Sequence, residues 1–69
     1  MNATTLQHQD IAPYLVNLTE RERTVIEKRL AGQTYKAIAT EHGVTREVIR
    51  ALEAKAVRKL RWAIRKEAL

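Results

Sequence analysis

The sequence predicts an all-α fold: a small four-helix helix-turn-helix domain whose last helix is long. Three observations carry this. Ile49, Leu52, Ala56, Leu60 and Ile64 recur at three- and four-residue steps, an apolar stripe along one side of a helix. Thr19 and Glu22 stand at the S/T-x-x-E spacing of a capping box. Gly32 and Gly43 fall where helical patterns stop, and nowhere is there strand-like alternation.

Residues 1–9 are polar and are expected to be loose, leaving residues 10–69 as the domain. Ile11, Tyr14, Leu15 and Leu18 recur at helical steps, and Pro13 is tolerable only near a helix start, which predicts a short helix at about 10–16. The capping box starts a second helix at Glu20, which carries Val25, Ile26 and Leu30 inward and ends near Ala31, where Gly32 can turn left-handed. A third helix is expected from about Tyr35 to Glu41, burying Ile38 and Ala39. Gly43 turns the chain, Thr45 caps a fourth helix, and that helix continues to the C-terminus with no Gly or Pro to stop it.

Length and composition narrow the class. A chain of 69 residues makes one domain, and one this short buries only about 60% of the surface its unfolded form exposes, so its core is thin. There is no cysteine to reinforce that core by disulfide or thiolate–metal bonds, so packing of Leu, Ile, Val and Ala must suffice. No apolar stretch approaches the roughly 18 residues of a membrane span, and the N-terminus lacks a signal pattern. A cytoplasmic location is expected.

The formal charge is +5, and it is placed unevenly. Residues 1–44 hold five basic and five acidic side chains, whereas residues 45–66 hold eight basic against two acidic. Such asymmetry suggests a polyanionic partner, because basic side chains that neutralise phosphates release condensed counterions, with affinity that falls steeply as salt is added. A solvated basic face would give the same composition, so the motif has to decide.

The motif is two helices joined by a short glycine-containing turn. Ala39 supplies the small residue where the helices cross, Gly43 the turn, and Ile38, Val44, Ile49 and Leu52 fill the angle. Only His42 departs, standing where a large apolar side chain is usual, and a partly buried packing role is expected for it. In this geometry the first turns of the second helix face base edges, selecting Arg46, Glu47, Arg50 and Ala51. Arginine can donate twice to guanine, glutamate can accept from cytosine N4, and alanine offers at most contact with a thymine methyl. Lys36, Thr45, Lys55, Arg58, Lys59 and Arg61 are candidates for phosphate or partner contact, with Arg50 sharing that character.

These residues resemble region four, the promoter-recognition domain, of bacterial RNA polymerase sigma factors. LTERER at residues 18–23 looks like the family's opening motif, and GVTREVIRALEAKAVRKLR at residues 43–61 like its recognition helix. The resemblance implies a domain that places its last helix in the major groove of the minus-thirty-five element of double-stranded promoter DNA and docks on the flap of the RNA polymerase β subunit. It implies base contact for Arg46 and Glu47, a backbone-proximal position for Arg50, and an activator-contacted basic patch at Lys55, Arg58, Lys59 and Arg61. Tyr14, Leu15, Leu18, Val25 and Ile26 become polymerase-contacting candidates, against the plainer reading of all five as core. Val48 stands where primary members carry arginine, Ala51 where they carry a base-contacting glutamine, and the connection at residues 31–34 is shorter. If Met1 to Leu69 is the whole product, it lacks the family's promoter-melting and clamp-binding domains and is expected not to initiate transcription alone. A phage or mobile-element origin would fit a small protein that mimics or competes with the host's own region four as an inhibitor or redirector.

The output domains of quorum-sensing-class response regulators share the LT-x-RE start and the A-G-x-x-x-K-x-I-A spacing found at residues 31–39. That likeness implies a dimeric regulator, so monomer and homodimer both stay open, but it weakens after Thr45. An enzyme is the weakest reading. There is no serine or cysteine, His8 and His42 lie far apart, and neither nucleophile–base nor metal-ligand spacing is present, so no cofactor and no small-molecule substrate are expected. Trp62, among Arg58, Arg61, Arg65 and Lys66, can serve as a packing anchor or a partner contact.

Overall fold

Pro13 lies in the first turn of the first helical segment, which winds as a 3-10 helix over Ala12–Asn17. Three residues per turn set Leu15 and Leu18 on one side, both buried, and the Leu18 N–H donates to the Leu15 carbonyl at 3.1 Å. The computed structural model describes residues 11–68; the expected loose segment at 1–9, the proposed helix start at 10 and His8 lie outside them. Three α-helices complete the domain: α1 (Glu20–Leu30), α2 (Tyr35–His42) and α3 (Arg46–Ala68).

Each helix starts and stops for a local reason. The Thr19 hydroxyl accepts from the Glu22 N–H at 3.2 Å while the Glu22 carboxylate accepts from the Thr19 N–H at 2.9 Å, completing the capping box. Helix α1 closes in a Schellman motif: Gly32, at φ 93°, donates to Arg29 O and Gln33 donates to Lys28 O, both at 3.0 Å. Helix α2 begins under the Thr34 hydroxyl, which accepts from the Ala37 N–H at 3.1 Å. It closes like α1, with Gly43 at φ 65° donating to Thr40 O and Val44 donating to Ala39 O at 3.0 Å.

At Gly43 an added Cβ would meet nothing within 4 Å, so the constraint is backbone conformation alone. Gly43→Ala is expected to lose about 1 kcal/mol in urea unfolding, and Gly43→Asn less, because asparagine tolerates the left-handed region. Equal losses for the two would show that something other than φ decides.

The core has two adjoining parts. Ile11, Leu15, Leu18, Ile26, Ala56 and Leu60 pack the 3-10 helix and α1 against the middle of α3. Val25, Ile38, Ala39 and Ile49 pack α1 and α2 against its first turns, with Tyr35, Val44 and Leu52 at the edge. Helix α3 therefore buries the expected stripe at Ile49, Ala56 and Leu60, with Leu52 and Ile64 half-buried. Leu30 departs from expectation: it sits on the last turn of α1 and is 37% exposed, because the core ends one turn earlier at Ile26. Among the described residues three ion pairs stitch the helices together: Lys28 to Glu41 at 2.8 Å, Arg29 to Glu53 at 3.0 Å and Lys59 to Glu22 at 2.8 Å.

Candidate nucleic-acid interface

Burial of Ile49, Ala56 and Leu60 fixes the rotation of α3 and hence which side chains face out. Successive residues turn by about 100°, so Glu47 and Ala51 emerge opposite that stripe and Arg46 and Arg50 on its flank, and all four are exposed. Thr34 and Lys36, at the start of α2, and Thr45, before α3, are exposed as well. Thr34, Tyr35, Lys36, Arg46, Glu47 and Arg50 line one shallow concavity between the first turns of α2 and α3. Both helix starts carry free N–H groups and the positive end of a helix dipole, which favours anions.

Further along α3, Lys55, Arg58 and Arg61 are exposed. Arg58 lies twelve residues beyond Arg46, about 18 Å along the axis at 1.5 Å per residue. A major groove is about 12 Å wide, so with Arg46 at base edges this stretch reaches the backbone or leaves the duplex. Lys59 differs from its neighbours: its ammonium is bound to the Glu22 carboxylate at 2.8 Å and ties α3 to the start of α1. Glu22 is only 2% exposed. Burial pushes its carboxyl up, but the Lys59 ammonium and the Thr19 N–H and hydroxyl outweigh that and hold it below the usual carboxylate range.

A polar cluster that no sequence period reveals braces the concavity. The Tyr35 hydroxyl donates to one oxygen of Glu53, Arg29 Nε donates to the other at 3.0 Å, and Arg29 Nη1 donates to the Gln33 carbonyl at 2.8 Å. The guanidinium of Arg29 lies 4.2 Å from the Tyr35 ring centre and that of Arg50 5.3 Å. Hydrogen bonding to Glu53, with burial, raises the Tyr35 phenol and keeps it a donor. The bond to Glu53 likewise raises the Arg29 guanidinium. Sequence separations of 18 and 24 residues hid these contacts; the only signal on offer was an Arg, a Tyr and a Glu near helix ends that meet in this fold.

The polymerase-contacting candidates divide. Leu15, Leu18, Val25 and Ile26 are buried in the core, while Tyr14 is half-buried at its edge. The exposed apolar side chains at that end are instead Val16, at 80%, and Trp62, at 64%. Trp62 is thus no core anchor; Lys66 Nζ lies 5.0 Å from its ring centre. His42 is also exposed, contrary to the packing role expected of it, because α2 ends in the Gly43 turn with that side chain outside the angle filled by Val44 and Ile38. Among the described residues no group of three His, Asp or Glu could hold a metal ion, and no helix is long and apolar enough to cross a membrane.

Two helices meeting at a glycine corner, the second presenting a basic outer face, define a DNA-binding helix-turn-helix domain. Residues 14–61 match the family described as Sigma-70, region 4, and the chain belongs to that family of transcription-related DNA-binding domains. The RNA polymerase sigma factor SigA4 of Synechococcus elongatus is 39% identical over 61 residues, an overlap covering 81% of this chain. The chain spans 20% of that relative's length. No solved structure matches the chain.

Proposed function

We propose that this domain binds promoter-type double-stranded DNA, with the first turns of α3 in the major groove, and that it also contacts RNA polymerase through the β flap. The observation that carries the reading is the exposure of Arg46, Glu47 and Arg50 on the part of α3 that its buried stripe leaves free. A helix held by one face and charged on the other can enter a groove without disturbing its own packing. Arg46 and Glu47 read adjacent positions; Lys36, Thr45 and Arg50 grip phosphates beside them; Arg58 and Arg61 extend the grip or meet a protein bound alongside. Lys59, occupied by Glu22, contributes field more than contact. The half-buried Tyr14 and the exposed Val16 and Trp62 are the apolar side chains on which a polymerase element would rest.

The test is fluorescence anisotropy with a short duplex carrying a minus-thirty-five-type element and with a scrambled duplex of equal length. Arg46→Ala should weaken binding to the first about tenfold and narrow the gap between the two. Equal affinity for both duplexes in wild type and variant would reject sequence reading. The polymerase arm is checked by pull-down with the isolated β flap after nuclease treatment. Flap binding without measurable DNA binding would favour a protein that occupies the polymerase in place of the host's own region four.

A further inference from the structure

We infer that Tyr35 is a positioning residue for DNA recognition, its ring serving as the platform that holds the Arg50 guanidinium at the concavity between α2 and α3. The inference rests on the reading that Arg50 meets DNA.

Tyr35 is fixed from several directions. Its hydroxyl is bound to Glu53, the Arg29 guanidinium lies 4.2 Å from its ring centre, and its side chain packs against the cluster of Val25, Ile38, Ala39 and Ile49. Arg29 is itself held by Glu53 and by the Gln33 carbonyl, so the ring cannot shift without disturbing α1, the following turn and α3 together. Arg50 is the opposite case. It is exposed, and among the described residues it makes no hydrogen bond and no ion pair. Its interaction among those residues is with the Tyr35 ring, 5.3 Å away and within cation–π range.

Glu53, one turn along α3 from Arg50, would ordinarily draw that guanidinium, as opposite charges three residues apart on a helix do. Its charge is already paired with Arg29 and its other oxygen accepts from Tyr35, which weakens its pull on a second guanidinium. Tyr35 therefore acts twice: it bonds the competing acceptor and offers a ring face beside it. A guanidinium lying on a ring face keeps its N–H groups available at its edge, and those are the groups that grip a phosphate or a guanine. Restricting Arg50 before DNA arrives reduces the side-chain freedom lost on binding.

The experiment is a double-mutant cycle in DNA affinity with the same promoter-type duplex, each variant first checked for folding by thermal melting. Tyr35→Leu should weaken binding roughly fivefold. In the Arg50→Ala background the same substitution should cost less than about twofold, because the group it positions is gone. Tyr35→Phe keeps the ring and should stay within about twofold of wild type, the small loss arising from the Glu53 oxygen it frees. If Tyr35→Leu does not fold, Tyr35→Met is the packing-preserving substitute in the cycle. An equal loss with and without Arg50 would mean that Tyr35 acts only through the fold, overturning the inference while DNA binding stands. An Arg50→Ala variant with undiminished affinity would overturn it too, with Arg46→Ala still testing the wider reading. Absence of DNA binding by the wild type would remove both.

Discussion

Ile38→Ala is expected to lower the stability of the domain by about 3 kcal/mol, the middle of the range for truncating a buried isoleucine or leucine. Ile38 is fully buried in the cluster where α1 and α2 meet α3, so the lost methyl groups leave a gap that the short α2 cannot close by sliding, held as it is by Thr34 at one end and Gly43 at the other. A domain of this size has only about 5 kcal/mol of stability in total, so most of the margin goes and the melting temperature should fall by about 15 °C. With about 2 kcal/mol left the domain is still about 97% folded at 25 °C, so apparent DNA affinity should fall only on warming toward the lowered melting temperature. Val48→Ala removes a comparable side chain from the exposed side of α3 and should change stability by less than about 0.5 kcal/mol, since alanine is the better helix former. Urea unfolding of the pair decides. Similar losses for both would mean that Ile38 does not pack as the structure has it.

The features legible in the sequence were those that depend on near neighbours. The capping box at Thr19 and Glu22, the stops at Gly32 and Gly43 and the stripe at Ile49, Ala56 and Leu60 each involve residues a few positions apart, where helical geometry dictates the contact. The four-helix helix-turn-helix architecture comes from those signals together, and so does the family. The hidden features depend on how far apart in sequence two partners lie. Glu22 reads as an ordinary capping glutamate, yet α3 covers it and Lys59, 37 residues on, supplies its counter-charge. Leu30 and His42 lie outside the core because periodicity describes one helix at a time and does not say where the neighbouring helix ends. Leu15, Leu18, Val25 and Ile26 illustrate the same limit: an apolar side chain on a small domain serves the core or a partner, and only the packed arrangement distinguishes them. The exposure of Arg46, Glu47, Arg50 and Ala51, by contrast, follows once the stripe is assigned, because all four fall off it.

Glu22→Ala should be the second large perturbation, costing about 2 kcal/mol at neutral pH, and its pH dependence separates its parts. One part is the cap: the Thr19 N–H loses its acceptor, worth about 1 kcal/mol. The other is the pair with Lys59, whose partly exposed side chain can return to water, so the loss is well below that of breaking a fully buried pair. Glu22→Gln isolates the second part, because a glutamine oxygen can still accept from the Thr19 N–H while no charge faces Lys59. The direction of the shift sets the sign of the linkage. The folded-state carboxyl lies below its unfolded value, so its contribution is fully present above the ordinary glutamate range of about pH 4.3 and is lost as the pH falls through the lower folded-state value. The stability gap between wild type and Glu22→Gln should therefore be widest near neutrality and close on acidification below about pH 4. A gap that instead widened toward acid would mean that burial of the carboxyl dominates over the Lys59 ammonium and the Thr19 cap. The consequence reaches the DNA-facing side, because the Glu22–Lys59 bond is the polar tie between the start of α1 and the middle of the helix whose first turns carry Arg46 and Glu47.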